Sequence, residues 1–134
     1  MKYENKEIRA AQELDLETQK GYSNFLRWVI KYADCFCLSY KGFDYKEFTE
    51  SKWKYLIHSL IRYEEKHSEN PTVILYLTFD HVTIEFLKSK KHIFDFWDAI
   101  EGVDTWEWLW DIGFIKDGKH FFSSCTHEGV YEFE

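Results

Sequence analysis

Proline occurs once and glycine six times in 134 residues. A chain this poor in both is not a linker or low-complexity segment, and its composition suits one packed domain with a real core, residues 1–134. Cysteine occurs three times. An odd count fits reduced thiols better than a disulfide framework, and small buried hydrophobes are the default reading of Cys35, Cys37 and Cys125. Met1 to Lys20 is polar and charged, without the apolar centre of a secretion signal. No apolar run approaches the roughly 20 residues that cross a bilayer. The expectation is a cytoplasmic protein without membrane contact. No glycine-rich phosphate loop occurs, and no dinucleotide fingerprint follows the apolar run 72–79.

What is abundant is aromatic surface and, at one end, acid. One residue in five is Phe, Trp or Tyr. From Asp95 to Glu134 there are ten acids (Asp95, Asp98, Glu101, Asp104, Glu107, Asp111, Asp117, Glu128, Glu132 and Glu134) against Lys116 and Lys119, a formal −8. The preceding residues carry 14 acids and 15 bases. Four of the six tryptophans, Trp97, Trp106, Trp108 and Trp110, lie in the acidic third. Such a surface repels nucleic acid and anionic membranes and attracts basic protein patches. Aromatic side chains supply the centres of tight interfaces. The expected partner is therefore a protein, with Asp98, Glu101, Asp104, Glu107, Trp108 and Asp111 as candidate contacts. In the hexad Trp106 to Asp111 the rings serve either as a core plug or as an anchor patch rimmed by carboxylates. Composition does not set the oligomeric state.

Periodicity predicts an α+β fold, with N-terminal helices packed on a small mixed or antiparallel sheet and a C-terminal β-meander. Residues 4–20 read as a polar, loosely docked helix broken by Gly21. Ser23 or Asn24 would cap a second helix, in which Phe25, Leu26, Val29, Ile30 and Ala33 share a face and which Asp34 ends. Residues 35–40 read as a strand with Phe36, Leu38 and Tyr40 on one face and Cys35, Cys37 and Ser39 on the other. After a turn at Gly42 to Asp44, residues 46–67 predict a long helix whose buried stripe is Trp53, Leu56, Ile57, Leu60 and Ile61. Residues 72–79, apolar at every alternation, suit a central strand covered on both sides. Asp80 can cap a helix over 82–90, although Val82, Ile84 and Phe86 also alternate as a strand would. Residues 92–100 read as a short helix or packed turn that Gly102 ends. Strands follow at 112–116, 119–125 and 130–133. Lys116-Asp117-Gly118-Lys119 joins the first two, and His127-Glu128-Gly129 turns into the third.

The candidate chemistry is thin. Cys35-x-Cys37 and Cys125-x-His127 could each present two ligands from one strand face, and four such groups could hold zinc. The spacing is not that of a zinc knuckle, and the expectation is no metal and no cofactor. His127-Glu128 could be a base with its orienting carboxylate, but neighbouring turn residues point apart. His58, His81 and His120 are scattered. Ser123-Ser124-Cys125 lacks the flanking glycines of a nucleophile elbow. Lys88, Lys90 and Lys91 beside His92 read as a solvated helix end. The chain is not expected to be an enzyme, and a small metal-dependent enzyme is the least favoured reading.

Three further runs carry a resemblance. Asp111-Ile112-Gly113-Phe114, Lys116-Asp117-Gly118 and Phe121-Phe122-Ser123-Ser124-Cys125-Thr126-His127-Glu128 follow one another as a strand, a hairpin turn and an aromatic strand. Phe94 to Gly129 thereby resembles the C-terminal part of small bacterial immunity proteins that accompany polymorphic or contact-dependent toxins. Trp106 to Trp110 stands where a Pro-containing turn is common in that pattern. The resemblance implies a bacterial protein that neutralises a toxin domain, many such toxins being basic nucleases. The alternative is a phage or mobile-element inhibitor that mimics DNA against a host defence nuclease.

Overall fold

Twelve residues from Thr18 to Val29 set the layer that covers the sheet. Thr18 sits in extended backbone, its hydroxyl oxygen accepts the Gly21 N–H, and helix α2 (Gln19–Tyr32) begins there. Phe25, Leu26 and Val29 recur along one face and are buried, as their spacing predicts. Gly21 lies inside the helix and does not break it. A Cβ at this position would stand 1.8 Å from the Asp15 carbonyl oxygen, so glycine permits the close approach of the preceding turn. The cap is Thr18, not Ser23 or Asn24. Of the polar segment before it, residues 8–12 are helical (α1) and 13–18 are turns.

The computed structural model describes residues 8–41, 44–67, 71–99, 107–126 and 128–134. After α2 come β1 (Cys35–Lys41), α3 (Tyr45–Thr49), a 3-10 helix (Lys54–Ser59), β2 (Leu60–Lys66) and β3 (Thr72–Leu77). Then follow α4 (His81–Lys88), β4 (Trp97–Ala99), β5 (Glu107–Lys116), β6 (Lys119–Cys125) and β7 (Val130–Phe133). The strands pair antiparallel in the order β2-β3-β1-β5-β6-β7. β4 pairs with Glu107–Leu109, the part of β5 that precedes its ladder with β1. The fold is α+β, and β5-β6-β7 is the expected C-terminal meander. No helix among the described residues is long and apolar enough to cross a membrane.

The sheet has one thickly covered face. Phe36, Leu38 and Tyr40 of β1, Val73, Leu75 and Leu77 of β3, and Ile112, Phe114 and Phe122 beyond them are buried there with Phe25, Leu26 and Val29 of α2. Phe25 lies 5.6 Å from Phe114, 5.1 Å from Phe122 and 6.0 Å from Phe133 between ring centroids. Each buried ring contributes roughly 1.5–3 kcal/mol. Ser124 shares this interior because its hydroxyl bonds both the N–H and the carbonyl of Ile112. Asp34, just past α2, clips the β5-β6 hairpin: its N–H donates to the Ile115 carbonyl, and its carboxylate accepts the Asp117 N–H at 2.8 Å. Asp117 and Gly118 have φ of 53° and 77°, the pair of left-handed residues that a type I′ hairpin turn needs.

The long helix expected over 46–67 is not formed. Asp44 and Glu47 make a capping box that starts α3, but the hydroxyls of Thr49 and Ser51 donate back to the Lys46 and Phe48 carbonyls and the helix stops after five residues. The 3-10 turn then keeps Trp53 and Leu56 buried, which reproduces helical spacing over a short stretch. From Leu60 the chain pairs with β3, with Ile61 as the extra residue of a bulge. Ile57 and Ile61, expected inside, are exposed. Of the two readings of residues 92–100, the turn holds at 91–94 and the helix does not form; Trp97–Ala99 is instead the strand β4. Asp80 caps α4 as expected, and the competing strand reading of 82–86 falls. β5 begins at Glu107, five residues before the expected strand. The turn positions Gly42, Phe43, Gly102 and His127 lie outside the described residues.

Candidate functional site

The second face of the sheet is where polar and reactive side chains collect. The alternation that sends Phe36, Leu38 and Tyr40 into the core sends Cys35, Cys37 and Ser39 the other way. Registers extend that row. Cys37 stands between Tyr76 of β3 and Gly113 of β5, and Ser39 between Ile74 and Asp111. Cys37, Tyr76 and Ile115 form a small apolar cluster of their own, with Cys35 and Ile74 against it. Every described helix with buried residues puts them into the core on the opposite side. The second face is covered by side chains of the sheet itself: the Arg62 guanidinium lies 3.8 Å from the Tyr76 ring centroid and binds Glu64 at 2.5 Å. Among the described residues, β3 is thus covered by helices on one face and by side chains of the neighbouring strands on the other.

Cys37 Sγ meets His120 Nε2 at 3.4 Å. Gly113 makes this possible, because a Cβ there would lie 2.9 Å from both the sulfur and the His120 Cδ2. A thiol beside an imidazole resembles a nucleophile with its base. Burial, however, pushes the Cys37 thiol up to about 12 despite the Gly113 backbone hydrogen bond, which acts the other way. At neutral pH the sulfur stays protonated and supplies no thiolate. Burial and then Asp34 raise Cys35 as well. Cys125 is on β6 opposite Val130, two strands from β1, so it does not join Cys35 and Cys37; His127 is outside the described residues. Among the described residues no three His, Cys, Asp or Glu side chains are placed to hold a metal. His58 and His81, scattered in sequence, approach to 5.6 Å between rings beside a groove of about 620 Å³ shared with Tyr55 and Glu85.

Of the six expected partner contacts, Asp111 is described in full. It lies half-buried on the second face, opposite Ser39, and one carboxylate oxygen accepts the Thr126 N–H at 2.9 Å. Asp111 therefore also fixes the chain as it leaves β6. Asp98 stands opposite Trp108 in the β4-β5 ladder, and Glu107 opposite Ala99. That hairpin brings two stretches of the acidic third together. The side chains of Asp98, Glu107 and Trp108 are outside the described part, as are Glu101 and Asp104 entirely. Further acids of the same third, Asp117, Glu128, Glu132 and Glu134, are exposed. Sequence reading missed the Cys37–His120 contact, made between residues 83 apart, and the Arg62–Tyr76 pair, because a register cannot be read from one strand. Comparison with protein-family models, curated proteins and solved structures returns no match.

Proposed function

We propose that this chain is a non-catalytic inhibitor of the immunity-protein kind, which binds and neutralises a basic, nuclease-like bacterial toxin domain in the cytoplasm through its acidic, aromatic C-terminal third. The observation that carries the reading is the segregation of charge: ten acids against two lysines after residue 94, in a chain whose remainder is nearly neutral. The hairpin that sets Asp98 opposite Trp108 supports it, since it joins the two aromatic and acidic stretches on neighbouring strands. Carboxylates in such a surface stand in for substrate phosphates in a basic groove, and tryptophans supply a desolvated centre. A stable complex of this kind buries roughly 800 Å² of each partner. The protonated Cys37 thiol beside His120 agrees with a binding role rather than a catalytic one.

The test is charge reversal. Glu107→Lys with Asp104→Lys is expected to slow association with a basic, nuclease-like toxin domain and to weaken affinity at least about tenfold. Unchanged affinity would remove this surface from the interface.

A further inference from the structure

Strand β2 is one end of the sheet, and among the described residues nothing pairs with its outer side. Exposed large hydrophobic side chains concentrate beside it. Of the five in the described chain, Tyr55 (49%), Ile57 (38%), Ile61 (56%) and Tyr63 (44%) fall within nine residues. Scattered apolar residues are ordinary on a surface, whereas a cluster along an unpaired strand marks an interface. Tyr63 is also held rigidly, its ring stacked on Tyr45 at 3.7 Å and 4°. An edge built this way offers both ladder hydrogen bonds and ready apolar contacts to another strand.

The charges on β2 say which strand. Arg62 and Glu64 share a face, as residues two apart in a strand must, and both are about half exposed. We propose that β2 is a self-association surface occupied by β2 of a second copy, antiparallel, about a twofold axis at Tyr63. That register sets Tyr63 against Tyr63 and each Arg62 opposite the partner's Glu64, so the pair that now closes within one chain also closes twice across the interface. A register centred one residue later would set Glu64 against Glu64 and Arg62 against Lys66. The same charges that discourage arbitrary strands therefore select one alignment. The contact is isologous and closes at a dimer rather than growing into a fibre. No residue of β2 is among the expected toxin contacts, and β3 and β1 lie between β2 and β5, so the proposal stands or falls independently of the toxin-binding reading.

Sedimentation velocity on the full chain at increasing concentration tests this. The expected species is a dimer of the 16.4 kDa chain. Arg62→Glu alone and Glu64→Arg alone are each expected to weaken self-association roughly ten- to a hundredfold, because the axis applies each change twice. Both side chains are about half exposed, and unchanged far-ultraviolet circular dichroism will show that the variants remain folded. An equimolar mixture of the two variants is expected to form heterodimers, since the two carboxylates of one variant then face the two guanidinium groups of the other across the interface. Neither variant regains its internal ion pair in the mixture, so recovery reports the intermolecular contact alone. Val130→Lys, at the opposite sheet edge, is expected to leave the dimer intact. A monomer at all concentrations would overturn the proposal. So would a dimer indifferent to Arg62→Glu, a mixture that stays monomeric, or a dimer lost on Val130→Lys.

Discussion

Replacing Asp80 by alanine is expected to destabilise the fold by about 2–4 kcal/mol, most of it from two separable losses. Asp80 caps α4: its Oδ1 accepts the N–H groups of Val82 and Thr83 at 2.9 and 3.1 Å, while the Thr83 hydroxyl accepts the Asp80 N–H. Losing such a cap costs about 1 kcal/mol. Its Oδ2 accepts the hydroxyl of Ser59 at 2.6 Å, and Ser59 is buried where the 3-10 helix turns into β2. An orphaned buried hydroxyl costs about 1–3 kcal/mol. Asp80→Asn keeps an acceptor for the helix N–H groups and an amide beside Ser59, so it is expected to lose about 1 kcal/mol. Urea unfolding separates the variants through their midpoints, provided the slope stays constant. The pH dependence carries a sign. Burial alone would raise the Asp80 carboxyl, but the hydrogen bonds from Ser59, Thr83 and Val82 outweigh it, with His58 adding to them, and the group sits below its ordinary 3.8. The folded state thus favours the carboxylate. The advantage of the natural protein over Asp80→Asn is present above pH 3.8 and lost as pH falls through the lower folded value. Equal losses for the alanine and asparagine variants, or an advantage that grows on acidification, would refute this account of the hub.

Three other substitutions and labels probe the packing. Gly21→Ala is expected to cost more than about 2 kcal/mol in urea unfolding, far above an ordinary helix-surface change, because the new methyl overlaps the Asp15 carbonyl. Phe25→Ala, at a fully buried ring in contact with Phe114, Phe122 and Phe133, is expected to cost about 3–5 kcal/mol. Thiol titration of the native protein with a disulfide reagent at neutral pH is expected to modify the half-buried Cys35 and Cys125 first. Cys37, 4% exposed and protonated, reacts only on unfolding. Mass mapping that finds Cys37 first would contradict the burial argument.

The strands that could be read from sequence were those with one buried face. Phe36, Leu38 and Tyr40 alternate cleanly with Cys35, Cys37 and Ser39, and the structure follows them. Asp80 and the Asp117-Gly118 turn were also readable, because capping and positive φ are set by the residues themselves. Residues 54–66 were not readable. A 3-10 turn followed by a bulged edge strand puts Trp53, Leu56 and Leu60 at helical intervals, and pairing with β3 decides the conformation. Gly21 misled for a related reason: glycine for close approach looks in sequence like glycine for helix termination. The acidic third was visible as composition, but its geometry depends on β4 pairing with the early part of β5, a contact that no local pattern encodes.

The most direct test of the toxin-binding reading is calorimetric titration with the C-terminal domain of any large protein encoded immediately upstream, at low and at physiological salt. The account predicts nanomolar affinity that weakens as salt screens the carboxylates over a length of about 8 Å. Absence of heat at micromolar concentrations, or affinity that does not change with salt, would contradict the claim that the acidic third is the working face.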